Sequence, residues 1–306
     1  MRINIIGSGV VGTATGKGLL DKGHEVTFYD ISTWRRWELK QMGLEVTTSI
    51  SSDAEISMIC VPTPNRLDGR MDLSYIKQAV EEVAKHWGSH YQVIVIRSTV
   101  LPSVTESILL PLIEQHSGRK ADIDFGLCHQ PDFLRLENGN NPYQDFLHPR
   151  LIVIGAHDSR AGDVLEELYK PFPAPILRVD IKTAETIRCI HNLFNATKVS
   201  FFNEMHLIEE RLGIDSNVVH KAVTLTAEGI WNPEYGTRSG YPYGGSCLPK
   251  DTEAFLAFAE QSGWRMELLS AVININDTMT MKQLQKSELA SYPRQYQPGH
   301  RNPRLQ

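Results

Sequence analysis

Gly244-Gly245-Ser246-Cys247-Leu248-Pro249-Lys250-Asp251 sets a thiol between a glycine pair and an ionisable pair. Pro249 suits a first helical turn, so the sequence predicts Cys247 near a helix N-terminus, where backbone amides and the Lys250 ammonium favour a thiolate nucleophile. A lone cysteine is ordinarily a small buried hydrophobe; the flanking glycines, which let a ligand come close, set this one apart. Upstream, Arg188, Asn192, Asn195 and Val199 recur at spacings of four, three and four in a stretch read as helix. The first three project from one face, and a cation with two amides can hold an oxyanion or simply make a solvated surface. Cys189 and His191 fall on different faces, and none of the 11 histidines has a convincing ligand partner, so no metal is expected.

A second group of residues points to a dinucleotide. Gly7-Ser8-Gly9-Val10-Val11-Gly12 follows the apolar run Arg2 to Ile6 and precedes a helical stretch ending near Lys22. Its first glycine permits the tight turn, the second lets backbone approach a pyrophosphate, and the third lets helix and strand pack closely. Asp30 closes the next strand 18 positions after Gly12, where an acid bonds an adenosine ribose hydroxyl. Its charge favours NAD over NADP, while Arg35 and Arg36 stand close enough in sequence to clamp a 2′-phosphate. Pro62-Thr63-Pro64 and Ser98-Thr99 end two further apolar runs, at the sheet edge where open α/β folds bind ligands; ordinary strand-end turn chemistry is the plainer reading of both.

The elements that must position these groups follow from periodicity. Strand-length apolar runs recur at Arg2 to Ile6, Glu25 to Asp30, Ile56 to Val61, Gln92 to Thr99 and Ile123 to Gln130, with helical stretches between several of them. Such alternation predicts βαβ units and a Rossmann-like, doubly wound parallel sheet. Arg150 to Ala156, the amphipathic Arg160 to Lys170 and Ile176 to Val179 complete it. Asp180 can cap one long helix from Lys182 to Leu212, and further helices are expected near Asn217 to Thr224, Lys250 to Gln261 and Met266 to Leu289. The expected organisation is a cofactor domain over 1–180, a mostly helical domain over 181–290 and a disordered tail over 291–306, which carries three prolines, three arginines and no acid. The loop Glu228 to Ser246, rich in Gly, Pro and Tyr, is long enough to be functional.

Composition sets outer bounds. At 306 residues, two domains are the prior expectation. With Lys+Arg 31 against Asp+Glu 36, net −5, no global positive field exists to hold nucleic acid, and no apolar run reaches the ~18 residues of a membrane span. The four cysteines form no C-x-x-C pair, which fits a reducing cytoplasm, and no cleavage site follows the N-terminal apolar stretch. Ile187, Ile190, Leu193, Phe194, Phe201, Phe202 and Leu207 spread around much of the long helix, which predicts burial on more than one side and hence a homodimer.

These segments resemble the UDP-glucose/GDP-mannose 6-dehydrogenase family. GGSCLPKD looks like its catalytic cysteine motif, and VPTP with DGRMDLSYI, STV, PDFLR, DFLHPRLIVIG and ETIRCIHNLFNATKVSFFNE resemble its supporting segments, from Met1 to about Asn276. The resemblance implies that Cys247 attacks an aldehyde, that Asp251 assists proton movement, that Asn192 and Thr99 orient the reacting group or its water, and that the long helix builds a dimer. It also implies substrate contacts from Phe133, Leu134 and Arg135, from Arg238, Tyr241 and Tyr243 of the long loop, and from Gly244 and Lys250. The chain departs from the pattern in places. Arg188 stands at the family's lysine position and keeps the charge without a useful proton. Asp132 stands for a glutamate, and Leu136 faces a second acid unless Glu137 slides into place. The segment after Asp30 is short, and a third, nucleotide-gripping domain has no counterpart after Asn276.

The expected reaction is NAD-dependent oxidation of a primary alcohol of a sugar or nucleotide substrate to a carboxylate, through a thiohemiacetal and a thioester on Cys247. Two rivals stand beside it: a single two-electron oxidation of a small hydroxy compound, in which Cys247 only binds or packs, and a non-catalytic NAD-binding protein.

Overall fold

The computed structural model describes residues 1–135 and 140–291. The expected tail beyond Ser291 and the register of Leu136 and Glu137 lie outside them. The chain divides into two units, Met1–Leu193 and Phe194–Gln306.

The first unit is an eight-stranded sheet with helices on both faces. In chain order it runs β1 (Arg2–Ile6), α1 (Val10–Asp21), β2 (Glu25–Tyr29), α2 (Thr33–Gln41), β3 (Val46–Thr47), β4 (Ile56–Ile59), α3 (Ser74–Lys85) and β5 (Gln92–Ile96). A π-helical turn (Thr105–Leu109) then leads into α4 (Leu110–Ser117), followed by β6 (Phe125–His129), α5 (Pro142–Leu147), β7 (Ile152–Ala156), α6 (Ser159–Tyr169) and β8 (Ile176–Val179). The long α7 (Ile181–Leu212) comes next. Spatial order is β3-β2-β1-β4-β5-β6-β7-β8, so the chain reverses direction across the sheet between β1 and β4 and leaves a crevice beyond their carboxyl ends.

Period-two alternation splits each central strand between two cores. Val93 and Val95 of β5 join one face with Ile3, Ile5, Val26 and Phe28, while Ile94 and Ile96 join the other with Ile6 and Ile59. Helix α3 covers the second face with Ile76, Ala79, Val80, Val83 and Ala84, a helical stripe on a chain otherwise polar. Helix α1 sits close because Gly12 and Gly16, one turn apart, face the sheet, while Gly18 faces α5, where a Cβ would stand 2.2 Å from Phe146.

The expected doubly wound sheet is present, with one local departure. The sheet is parallel except where β6 and β7 pair antiparallel, Cys128 opposite Ala156. A parallel neighbour needs a crossover that covers the sheet face. The connection here instead uses α5 to pack on α1, and returns β7 in the opposite sense. The strands also stop short of the apolar runs, at Tyr29, Ile59, Ile96 and His129, because the residues beyond leave the ladder to make the edge described below.

The second unit holds the remainder of α7, with α8 (Ser216–Thr226), a short α9 (Glu228–Trp231) that opens the expected loop, α10 (Leu248–Gln261) and α11 (Glu267–Ser291). Its buried core is small: Ile208, Ala259 and Met266, packed by Met205, Leu256, Trp264 and Leu269. Glu204 accepts from the amides of Leu268 and Leu269 at 2.8 and 3.1 Å and so caps the start of α11. Phe194, Val199, Leu225 and Trp231 are exposed. Among the described residues no helix is long and apolar enough to cross a membrane.

Candidate functional site

Two positions of the glycine loop accept only glycine. Gly7 has φ +85°, and a Cβ on Gly12 would stand 2.1 Å from the Gly7 carbonyl oxygen. At Gly9 an added Cβ meets nothing within 4 Å, so that face of the loop is open to a ligand. Val10 opens α1 with its side chain exposed, and Val11 is half-buried. Asp30 holds the loop from the next strand end: its carboxylate accepts from Ser8 N–H at 2.8 Å and from Ser32 N–H at 2.9 Å. Two spent lone pairs leave others for a ribose hydroxyl.

Arg35 is committed to the same loop. Its Nε donates to the Ser8 carbonyl at 2.6 Å, Nη2 to Thr13 Oγ1 at 2.8 Å, and Nη1 pairs with Glu38 at 2.8 Å. Arg36 donates to the carbonyls of Asp30 and Ile31 at 2.6 and 3.0 Å. The two cations that could have clamped a 2′-phosphate are thus engaged with protein groups. An open glycine turn at a helix start with a carboxylate beside it fits a dinucleotide with free ribose hydroxyls.

At the neighbouring strand ends, Thr63 Oγ1 donates to the Thr99 carbonyl at 2.7 Å and Ser98 Oγ to the Val61 carbonyl at 2.7 Å. These hydroxyls bind the segment Val61-Pro62-Thr63 to Ser98-Thr99. Past β6, Asp132 is buried and α7 brings Arg188 over it, Nη2 to Oδ2 at 3.6 Å. Arg188 Nη1 donates to Asn192 Oδ1 at 2.7 Å, one helical turn on. Three residues picked from sequence are therefore in one place. Asn195 of the same predicted face belongs to the second unit.

Other candidates land differently. Arg135 is spent on Asp145, its backbone N–H, Nε and Nη2 all donating to that carboxylate, so it offers no free cation to a substrate. Leu134 packs against the first core and its N–H faces Asp132 Oδ1 at 3.4 Å. Phe133 lies against the His191 ring, centroids 4.9 Å apart.

Sequence reasoning missed three residues. His129 is fully buried and neither ring nitrogen has a hydrogen-bond partner among the described residues; burial, then the charges of Arg97 and Arg188, lowers its pKa to about 3. Arg97 is buried behind the strand ends. Glu185 is fully buried on α7, one turn before Arg188, and accepts from the amides of Ser103 at 2.5 Å and Thr105 at 2.8 Å, which holds Ser103 at φ +76°. Burial raises its pKa. A signal existed for two of them: Arg97 and His129-Gln130 are polar interruptions closing otherwise apolar strands.

In the second unit Cys247 is exposed at the N-cap of α10, its Sγ 3.7 Å from Ser246 Oγ. Gly245 before it has φ +80°. The expected help from Lys250 is redirected, because its ammonium sits on Asp251 Oδ1 at 2.6 Å. Arg238 stacks over the Tyr241 ring, 3.6 Å to the centroid, and Tyr243 N–H donates to Asn276 at 2.7 Å. Gly244 meets nothing within 4 Å of an added Cβ.

A doubly wound sheet with a glycine loop, an acid at the next strand end and polar groups at the switch-point edge has the build of a dinucleotide-binding domain. The chain belongs to the UDP-glucose/GDP-mannose dehydrogenase family, NAD-dependent oxidoreductases acting on CH–OH. Residues 36–173 match that family's NAD binding domain and 182–278 its central domain. The chain is 34% identical to a GDP-mannose 6-dehydrogenase of Pseudomonas aeruginosa over 307 positions, covering 92% of this chain and 70% of that protein. It is 35% identical to a UDP-glucose 6-dehydrogenase of Bacillus subtilis, covering 90% and 66%. A crystal structure of a ternary complex of GDP-mannose dehydrogenase from P. aeruginosa matches with TM-score 0.85 at 33% identity, over 94% of this chain and 71% of that one. The UDP-glucose dehydrogenase of Pyrobaculum islandicum matches with TM-score 0.69 at 30% identity, over 94% and 71%.

Proposed function

We propose that this protein oxidises the primary alcohol of a nucleotide sugar to a carboxylate in two stages. The observation that carries it is the Arg188 guanidinium set between Asn192 and Asp132 beside the strand-end residues of a family whose members named above act on GDP-mannose and UDP-glucose. Gly7, Gly9 and Gly12 would hold the pyrophosphate of NAD and Asp30 its ribose, with Arg35 bracing the loop. NAD, when bound, supplies the hydride acceptor at each stage.

The chain's residues do the rest. Thr99 and Asn192 orient the hydroxymethyl group, and Asp132 takes part in moving the alcohol proton. Arg188 stabilises the oxyanion as a fixed donor. The Cys247 thiolate adds to the aldehyde carbon, the adduct loses hydride to become a thioester, and water attacks the thioester to release the acid and return the thiol. Asp251 assists the proton on that side. Residues 1–180 would serve the cofactor and 181–290 the substrate and a homodimer through α7, whose exposed Ile190, Leu193, Phe194 and Val199 favour a second copy as cover. Free cysteines suit a reducing cytoplasm.

The placement of Lys250 on Asp251 favours a second reading, one two-electron oxidation with Cys247 outside the chemistry. NADH stoichiometry with limiting GDP-mannose or UDP-glucose separates the two. About two NADH per sugar, falling to one or stalling reversibly in Cys247→Ala, is expected. One NADH with an aldehyde or ketone product leaves the second reading standing. Sedimentation at micromolar concentration tests the dimer, and a monomer there refutes it.

A further inference from the structure

The ladder between β5 and β6 closes with Gln130 N–H donating to the Ile96 carbonyl at 2.9 Å. The next amide along β5, that of Arg97, continues the ladder on the other side, donating to the Ile59 carbonyl of β4 at 2.9 Å. From there the two strand ends run on separately, one to Thr99 and the other to Asp132. Beyond that point a side-chain link joins them: Arg97 Nη1 donates to Gln130 Oε1. Tyr169, the last residue of α6, donates its hydroxyl to the same oxygen at 2.8 Å and stands 3.4 Å from Arg97 Nη1. Two donors on one oxygen settle which way the Gln130 amide faces. Tyr169 is wedged in turn between Phe146 and Phe172, centroids 6.4 and 5.2 Å away.

The brace is made of expensive material. A guanidinium only 3% exposed ordinarily carries a carboxylate. Arg97 rests instead on an amide, a phenol and the face of Phe146, 5.6 Å from its centroid, and its Nε has no hydrogen-bond partner among the described residues. Replacing a buried charged group by apolar side chains of similar volume is often neutral or stabilising, so stability alone does not account for a cation here.

We propose that Arg97 is a positioning residue: by bracing Gln130 against Tyr169 it sets the spacing of the strand ends that present Thr99 and Asp132 to the reaction. This rests on the assignment of Thr99 and Asp132 to the site and adds to it a buried residue that acts from behind.

The test compares Arg97→Met, Arg97→Lys and Tyr169→Phe with the wild-type protein. Arg97→Met is expected to lower kcat by about tenfold or more while KM and the NAD Kd stay within about threefold, as for a misplaced rather than a missing group. Arg97→Lys, which keeps a charge and a donor, recovers part of the loss. Tyr169→Phe removes one donor from Gln130 and gives a smaller loss of the same kind. In an Asp132→Asn background the Arg97→Met penalty shrinks, since the group it places is no longer the working one. Crystal structures read the Thr99 to Asp132 Cα separation directly, with a change of about 0.5 Å or more expected in Arg97→Met, or in Tyr169→Phe should the first variant not fold. An unchanged separation, an undiminished kcat, or equal penalties in both backgrounds overturns the proposal. If the wild type turns over no nucleotide sugar, the proposed function falls, and the separation measurement still decides the role of Arg97.

Discussion

His129 makes stability depend on pH in a way that can be calculated. The ring is fully buried beside two guanidiniums, and its pKa falls from 6.5 to about 3. Unfolding returns it to the ordinary value, so below pH 6.5 the unfolded chain binds a proton that the folded chain refuses. Stability from this group is therefore intact above about pH 6.5 and is lost as pH falls toward about 3, at up to ~1.4 kcal/mol per pH unit. At about pH 5 the loss is 1.5 units of that slope, or about 2 kcal/mol. His129→Leu keeps the volume and abolishes the titration. Urea unfolding of both proteins at about pH 8 and about pH 5 gives two pH-dependent changes whose difference cancels every other titrating group; the wild type should lose about 2 kcal/mol more. A difference under about 0.5 kcal/mol would mean that the folded ring titrates normally, and that the two guanidiniums do not act on it as their placement requires.

Three further outcomes are expected. Gly12→Ala puts a Cβ 2.1 Å from a backbone oxygen that no rotamer change can relieve, so NAD affinity should fall by more than about tenfold with about 1–3 kcal/mol of stability, measured by calorimetric titration and melting. Asp30→Ala should weaken NAD binding and narrow discrimination against NADP; a wild type that binds NADP more tightly would show that Arg35 or Arg36 abandons its present partners. Arg188→Ala should depress turnover by about 100-fold or more while NAD affinity holds, the scale for losing one oxyanion donor, and wild-type turnover would remove Arg188 from the site.

Much of the fold was legible because its signals are local. Val93 to Ile96 and the amphipathic Arg160 to Lys170, which forms α6, declare a buried strand and a one-faced helix by spacing alone, and Asp180 does cap α7, its carboxylate accepting from Thr183 N–H at 2.8 Å. The reversal of β7 was not legible, since it depends on α5 finding α1, a contact between residues more than a hundred positions apart. The same distinction governs the site. Arg188 and Asn192 are a helical turn apart and could be paired on paper, and Asp132 joined them only through a resemblance. Arg135 looked available until Asp145, ten positions on, took its guanidinium. His129 and Arg97 were invisible as a pair because their significance is burial and mutual charge, which no spacing encodes.

The glycines of α1 leave a last consequence. Substituents at Gly12, Gly16 and Gly18 would meet the Gly7 carbonyl at 2.1 Å, the Phe28 ring at 2.3 Å and the Phe146 ring at 2.2 Å. The helix is thus seated with no clearance at three points along nearly two turns, and it has neither a rocking nor a sliding freedom that would not collide with sheet or neighbour. Under the proposed function its first turn is also the floor of the phosphate cradle. In engineering terms the cofactor end is machined to zero tolerance, so adaptation to a different dinucleotide would have to come from the rim, at Asp30, Arg35 and Arg36, while the floor stays fixed.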